Sequence, residues 1–189
     1  MTAQDCLLIT DLQNDFCPGG ALAVKGGDQI VEAINRIQKR FSLVVTTQDW
    51  HPEDHSSFKD QGGPWPSHCV RDTWGASLHP RLDTSKVAFN VRKAKFQDRD
   101  AYSVFQETIL EEELKKRKVK RVFIVGLTTD YCVKETALDA LHCGFETIVL
   151  TDCIRAVNMD PHDGERALEE IRKAGAILAT RSDLEKGKI

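Results

Sequence analysis

Long apolar runs are missing from this 189-residue chain, and no stretch approaches the ~20 residues that a membrane-spanning helix needs. No membrane role is expected. A basic excess is missing too: 26 Lys and Arg stand against 29 Asp and Glu, which leaves no electrostatic footprint for a nucleic acid. The glycine pairs at 19–20, 26–27 and 62–63 form neither G-x-G-x-x-G nor G-x-x-x-x-G-K-[ST], so no backbone cradle for a nucleotide phosphate is legible. Six cysteines are present but no C-x-x-C, which argues against a structural zinc knuckle and a dithiol redox pair. The opening MTAQDCLLITDLQNDF lacks a basic n-region, so a cytoplasmic location with reduced thiols is expected. Internal repeats, low-complexity tracts and linkers are likewise absent, and residues 1–189 read as a single domain.

What is present is an alternation of strand and helix patterns. Cys6–Thr10, Leu43–Thr47, Val87–Val91, Arg121–Val125, Thr147–Leu150 and Ala176–Ala179 read as short apolar strands. Between them, Asp28–Arg40, Val104–Lys118, Cys132–His142 and Gly164–Ala174 carry apolar residues at helical spacing. This rhythm predicts right-handed βαβ crossovers and a mostly parallel sheet of the α/β class, covered on both faces. The segment 49–85 has no sustained period and holds four of the six prolines and four of the six histidines. So long an irregular stretch inside a compact domain is usually functional.

Open parallel sheets gather their chemistry beyond the carboxyl ends of the strands. That rule selects Asp11 after the first strand, Asp49 and His51 after the second, Lys93 and Lys95 after the third, and Cys132 after the fourth. With Thr129 or Asp130 as a cap, Cys132 falls in the first turn of a helix, where free amides and the helix dipole favour a thiolate and can hold an oxyanion. That placement favours a nucleophile over the plain alternative of a buried, inert thiol. The inert reading is adopted for Cys6, Cys69, Cys143 and Cys153. Asp49 and His51, two apart, point to one side of an extended chain, and His68 in the proline-stiffened PWPSHC offers a third ligand. Two imidazoles and a carboxylate suit Zn²⁺ or Fe²⁺. Taken alone, D-x-H fits a solvated acid beside a surface histidine better. His55 is either a fourth ligand or a neighbour, and His79, His142 and His162 read as surface or capping residues.

Five segments in order, DLQNDFCPGG, TTQDWHPEDHSSF, GPWPSHC, DAYSVF and GLTTDYCVKETALDAL, resemble the nicotinamidases (pyrazinamidases) of the isochorismatase-like cysteine hydrolases, over essentially the whole chain. The resemblance implies a three-layer α/β/α fold of Rossmann-like topology with a six-stranded parallel sheet, and hydrolysis of nicotinamide to nicotinate and ammonia. By motif, Asp11 is similar to the general base and Cys132 to the nucleophile. Lys93 is placed to complete the triad, with Lys95 as the same-face alternative. Asp49, His51 and His68 match the ligands of one divalent metal ion, Zn²⁺ first and Fe²⁺ or Mn²⁺ as alternatives. Phe16, Trp65 and Tyr102 match residues that enclose the pyridine ring, and Thr128 and Tyr131 complete the implied substrate site. Thr128 stands where relatives often carry alanine, and the Leu127–Thr128 peptide is expected to be cis. Pyrazinamide as a second substrate and a homo-oligomer are left open. The rival readings are a related hydrolase acting on isochorismate, a carbamoyl compound or another small amide, and a non-catalytic thiol or metal-binding module.

Overall fold

The computed structural model describes residues 1–189. Six segments form one parallel sheet: β1 (Asp5–Thr10), β2 (Leu43–Asp49), β3 (Val87–Lys93), β4 (Arg121–Leu127), β5 (Glu146–Arg155) and β6 (Ile177–Ala179). Their spatial order is β3-β2-β1-β4-β5-β6, and every neighbouring pair is parallel. A strand covered on both faces carries a near-continuous apolar run, here Cys6–Ile9, and none of β1 is exposed. Leu7 and Ile9 enter a 24-residue core on one face, while Cys6 and Leu8 enter a 19-residue core on the other. The expected α/β class and six parallel strands are thus observed.

The helices cover both faces but are shorter than their periodicity predicts. α1 (Val31–Ile37) buries Val31, Ile34 and Ile37 and is extended at both ends by tighter 3₁₀ turns. α2 occupies only Leu110–Lys116, where the pattern predicts Val104–Lys118. The missing turns are lost to side-chain competition: Thr108 Oγ1 donates to the Val104 carbonyl at 2.5 Å, and Glu107 sits in the left-handed region at φ 53°. α3 (Lys134–His142) also starts later than predicted, because Thr129–Val133 forms a wider π turn in which Val133 N–H reaches the Thr128 carbonyl at 3.0 Å. α4 (Asp163–Lys173) buries Gly164, Ala167 and Ile171. A fifth helix, α5 (Arg181–Glu185), was not anticipated; Thr180 and Asp183 form a reciprocal capping box at its start.

The irregular segment after β2 is held by its own turn hydrogen bonds, such as Trp65 N–H to the Ser57 carbonyl at 3.0 Å, and by buried side chains. Phe58 is 1% exposed and anchors it. Gln13 Nε2 donates to the Ala76 carbonyl at 2.9 Å, Asp15 Oδ2 accepts from Cys69 N–H at 2.7 Å, and Gln38 Nε2 donates to the Asp83 carbonyl at 2.9 Å. All three anchors come from the first 40 residues, so this loop is fixed against β1 and α1. The strand order has a direct consequence for function. β3, β2, β1 and β4 lie side by side, which brings the residues at their carboxyl ends, Lys93, Asp49, Asp11 and Cys132, onto one edge of the sheet at the point where the chain reverses its winding. No helix is long and apolar enough to cross a membrane.

Candidate active site

Lys93 is the hub of that edge. Its side chain is fully buried, and Nζ lies 3.1 Å from Asp11 Oδ2, 3.4 Å from Cys132 Sγ and 3.0 Å from the Ala101 carbonyl, and it also donates to Asp49 Oδ1. An ammonium removed from water needs such a set of acceptors. Burial opposes its charge, but Asp11 and Asp49 outweigh burial and hold the Lys93 pKa well above the ordinary lysine value. Lys95, its sequence alternative, is exposed. Ala94 explains the difference: it takes a left-handed φ of 51°, which breaks the alternation that would have placed both lysines on one side.

Asp11 is completely buried. Thr47 Oγ1 donates to its Oδ1 at 2.5 Å and in turn accepts from Asp11 N–H at 3.1 Å. Oδ2 lies 3.1 Å from the Lys93 ammonium and makes no hydrogen bond. One oxygen is therefore fixed and the other is free to take a proton. Burial raises the Asp11 carboxyl pKa above the usual value despite Lys93. Cys132 is 3% exposed, and one ligating atom each of Asp11, Asp49 and Cys132 lie within 4.8 Å of one another. Burial, together with Asp11 and Asp49, pushes the Cys132 thiol well above the ordinary cysteine value, against the pull of Lys93. The expectation of a thiolate made by a capped helix start is therefore corrected. No side chain caps that turn; the Asp130 carboxylate instead accepts from Val157 N–H at 2.9 Å and Asn158 N–H at 2.8 Å. A neutral thiol beside a carboxylate needs a base to become a nucleophile.

A second cluster shares Asp49 with the first. Asp49, His51 and His68 are buried, with one ligating atom each within 4.8 Å of one another. His51 Nδ1 donates to the Ala94 carbonyl at 3.2 Å, and His68 Nδ1 to the Pro66 carbonyl at 2.8 Å. Each ring thus keeps Nε2 as a lone-pair donor, the arrangement that fixes the tautomer of a metal-binding imidazole. Burial holds the His51 pKa down to about 3, so the ring is neutral and able to ligate. Burial pushes the Asp49 carboxyl up, but the Lys93 ammonium beside it outweighs burial, and Asp49 stays below its usual value and charged. The donor set fits a divalent cation. His55 does not complete it: Nδ1 pairs with Ser57 Oγ at 2.7 Å and Nε2 with the Arg99 carbonyl at 3.2 Å.

Residues of both clusters open onto a cavity lined by Phe16, Leu22, Asp49, Trp65, His68, Tyr102, Thr128, Tyr131, Cys132 and Val157. Trp65 Nε1 donates to Tyr102 Oη at 3.0 Å, and Tyr131 packs edge-on to Trp65 with ring centroids 5.0 Å apart. Phe16 lies 5.6 Å from the His68 ring. Lys95 and His55 aside, the eleven candidates for catalysis, metal and substrate meet at this one edge, and the Leu127–Thr128 peptide is cis. Sequence reasoning missed Thr47, Gln13, Leu22 and Val157. Gln13 brackets the start of the second cluster, donating to the Asp49 carbonyl at 2.9 Å and accepting from Asp49 N–H at 2.8 Å. Only the position of Thr47, two before Asp49 on one strand and therefore on the same side, hinted at its role.

Comparison with known proteins finds relatives over nearly the whole chain. The Isochorismatase domain family model matches residues 5–183. The nicotinamidase of Escherichia coli is 42% identical, with the match covering 95% of this chain and 96% of that protein. Among solved structures, the pyrazinamidase of Pyrococcus horikoshii in complex with zinc is 44% identical with a TM-score of 0.88, over 94% of this chain and 99% of that one. A protein of L. infantum in complex with nicotinate is 39% identical with a TM-score of 0.92, over 96% of each chain. This chain is a member of the isochorismatase family, on the side of it that includes the nicotinamidases.

Proposed function

We propose that this protein is a nicotinamidase, hydrolysing the amide of nicotinamide to nicotinate and ammonia, with Cys132 as nucleophile, Asp11 as general base and Lys93 as the cation that keeps both in register. The observation that carries the proposal is the contact of Lys93 Nζ with Asp11, Asp49 and the Cys132 sulfur at the floor of an aromatic cavity. A binding module has no use for a base, a buried ammonium and a thiol together. The relatives named above act on nicotinamide or pyrazinamide or bind nicotinate, which supports a pyridine carboxamide as substrate.

In the first half-reaction the free Oδ2 of Asp11 takes the thiol proton, and the sulfur attacks the carboxamide carbon. Negative charge moves to the carbonyl oxygen, and the Cys132 and Thr128 amides are the donors assigned to it in this reading. Asp11 returns the proton to the departing nitrogen, leaving a thioester. In the second half-reaction Asp11 draws a proton from water, which attacks the thioester, and the thiol is restored. Phe16, Trp65, Tyr102 and Tyr131 hold the ring and exclude bulk water. Asp49, His51 and His68 would hold one divalent ion, with zinc the first choice, and such an ion supplies a Lewis acid that orients the ring nitrogen. Ammonia release from nicotinamide by the purified chain tests the proposal; turnover of isochorismate or a carbamoyl compound instead would replace it.

Two further outcomes are expected from these roles. His51→Ala and His68→Ala should each lower metal content, read by elemental analysis, and raise KM, whereas His55→Ala should retain the metal. Equal metal content in all three would remove His51 and His68 as ligands. Thr47→Val deletes the donor on Asp11 Oδ1 and should lower kcat by about 10- to 100-fold, corresponding to the ~1.5–3 kcal/mol carried by a hydrogen bond to a charged group. Thr47→Ser should recover most of that loss, because it restores the hydroxyl; a serine variant as slow as valine would contradict the assignment.

A further inference from the structure

Thr128 carries two hydrogen-bond donors that nothing in the protein uses. Its hydroxyl oxygen is buried without a partner, and its backbone N–H reaches no protein acceptor. Its carbonyl, in contrast, accepts from Tyr131 N–H at 3.2 Å and Val133 N–H at 3.0 Å. Buried hydroxyls are nearly always paired, so an orphan one marks a position that a ligand or water completes. Three other buried side-chain atoms share this condition, Thr10 Oγ1, Gln38 Oε1 and Asp11 Oδ2. The first two belong to residues outside the cavity lining, and the third faces the Lys93 ammonium. Thr128 is therefore the one residue lining the cavity with Cys132 whose hydroxyl is buried without a partner. It is 2% exposed, which keeps competing water away.

We infer that the Thr128 hydroxyl is a further catalytic group, donating a hydrogen bond to the carbonyl oxygen as that oxygen becomes negative. The inference rests on the amidase reading given above. In the step concerned the sulfur–carbon bond forms, the π pair of the carbonyl moves to oxygen, the thiol proton passes to Asp11, and the threonine hydroxyl keeps its own proton. A carbonyl oxygen accepts weakly and an oxyanion strongly, so the hydroxyl stabilises the transition state more than the bound substrate. Its loss should appear in kcat and not in KM. A hydroxyl that merely packed, or that gripped the ring or the amide nitrogen, would show the reverse or nothing.

Thr128→Val keeps the shape and removes the hydroxyl. With nicotinamide, kcat is expected to fall on the order of 100-fold, the effect of removing one donor from a preorganised oxyanion site, with KM within about twofold. Thr128→Ser should stay within about threefold of the parent. Pyridine-3-carboxaldehyde, to which the sulfur can add to form a tetrahedral hemithioacetal, should bind the valine variant on the order of 100-fold more weakly, while the planar nicotinate binds both alike. A kcat for Thr128→Val within threefold of the parent, an equal loss in the serine variant, or a matching loss of nicotinate affinity would overturn the inference. If the valine variant does not fold, Thr128→Ser against Thr128→Ala makes the same comparison. A parent chain that releases no ammonia refutes the amidase reading, and the aldehyde measurement then still decides the hydroxyl on its own.

Discussion

Cys132→Ala is expected to abolish ammonia release, with kcat falling by at least about 10⁴-fold, while metal content and fold persist. The size follows from the neighbourhood of the sulfur. Cys132 lines the aromatic cavity with the Asp11 and Asp49 carboxylates close to its sulfur, and no other thiol is among the lining residues. The alanine variant keeps every charge of the site in place, so Lys93 still neutralises Asp11 and Asp49, and the loss isolates the nucleophile from the electrostatics. Cys132→Ser should be nearly as slow. Asp11 would then have to deprotonate a hydroxyl, a far weaker acid than a thiol, and the geometry built for sulfur is slightly too long for oxygen. The proposed thioester adds a direct readout: rapid quenching of the parent enzyme with nicotinamide should show an acyl adduct on Cys132 by peptide mass, absent in both variants. Retained turnover in Cys132→Ala would remove the residue as nucleophile, and turnover without any adduct would point to direct attack by water.

The reason this edge could be located before any coordinates lies in the strands. A parallel sheet with both faces covered leaves only its strand ends for chemistry, and β1, β2, β3 and β4 each end on an ionisable or reactive residue or lead directly into one. What single-chain reasoning lacks is the lateral register. Thr47 meets Asp11 because Ile9 pairs with Thr46 across β1 and β2, and no local pattern reveals that pairing. The choice between Lys93 and Lys95 was similarly closed to periodicity, since a left-handed Ala94 is a property of the turn and its contacts. Helix starts were misplaced for a related reason. Thr108, Thr128 and Asp130 look like neutral or capping residues in sequence, but Thr108 bonds back to the Val104 carbonyl, the Thr128 carbonyl accepts from Val133 N–H in a wide turn, and the Asp130 carboxylate accepts from the distant Val157 N–H. The capping box of α5 was legible in Thr180 and Asp183, three residues apart, and went unread because the segment is short.

Lys93→Ala and Lys95→Ala should separate by about three orders of magnitude in kcat, the first losing on the order of 10³-fold and the second less than about twofold. Lys95 is exposed and its charge is dispersed into solvent, where its removal changes little. Lys93 is the one cation enclosed between Asp11, Asp49 and the Cys132 sulfur. Without it, two carboxylates with oxygens within 4.8 Å of each other lose their shared counter-ion in a site closed to water. Like charges so close cannot both persist there, and the proton that one of them binds occupies the place the thiol proton must go. Lys93→Arg should rescue little, because a planar fork cannot occupy a cage built around a compact ammonium that also donates to the Ala101 carbonyl. Steady-state kinetics on the three variants, with metal content measured in parallel, checks the assignment. Equal losses in Lys93→Ala and Lys95→Ala would transfer the role away from Lys93. A Lys93→Ala variant that keeps its kcat but loses its metal would instead confine this lysine to shaping the Asp49, His51 and His68 cluster, and Asp11 would then act on the thiol without a cation to steady it.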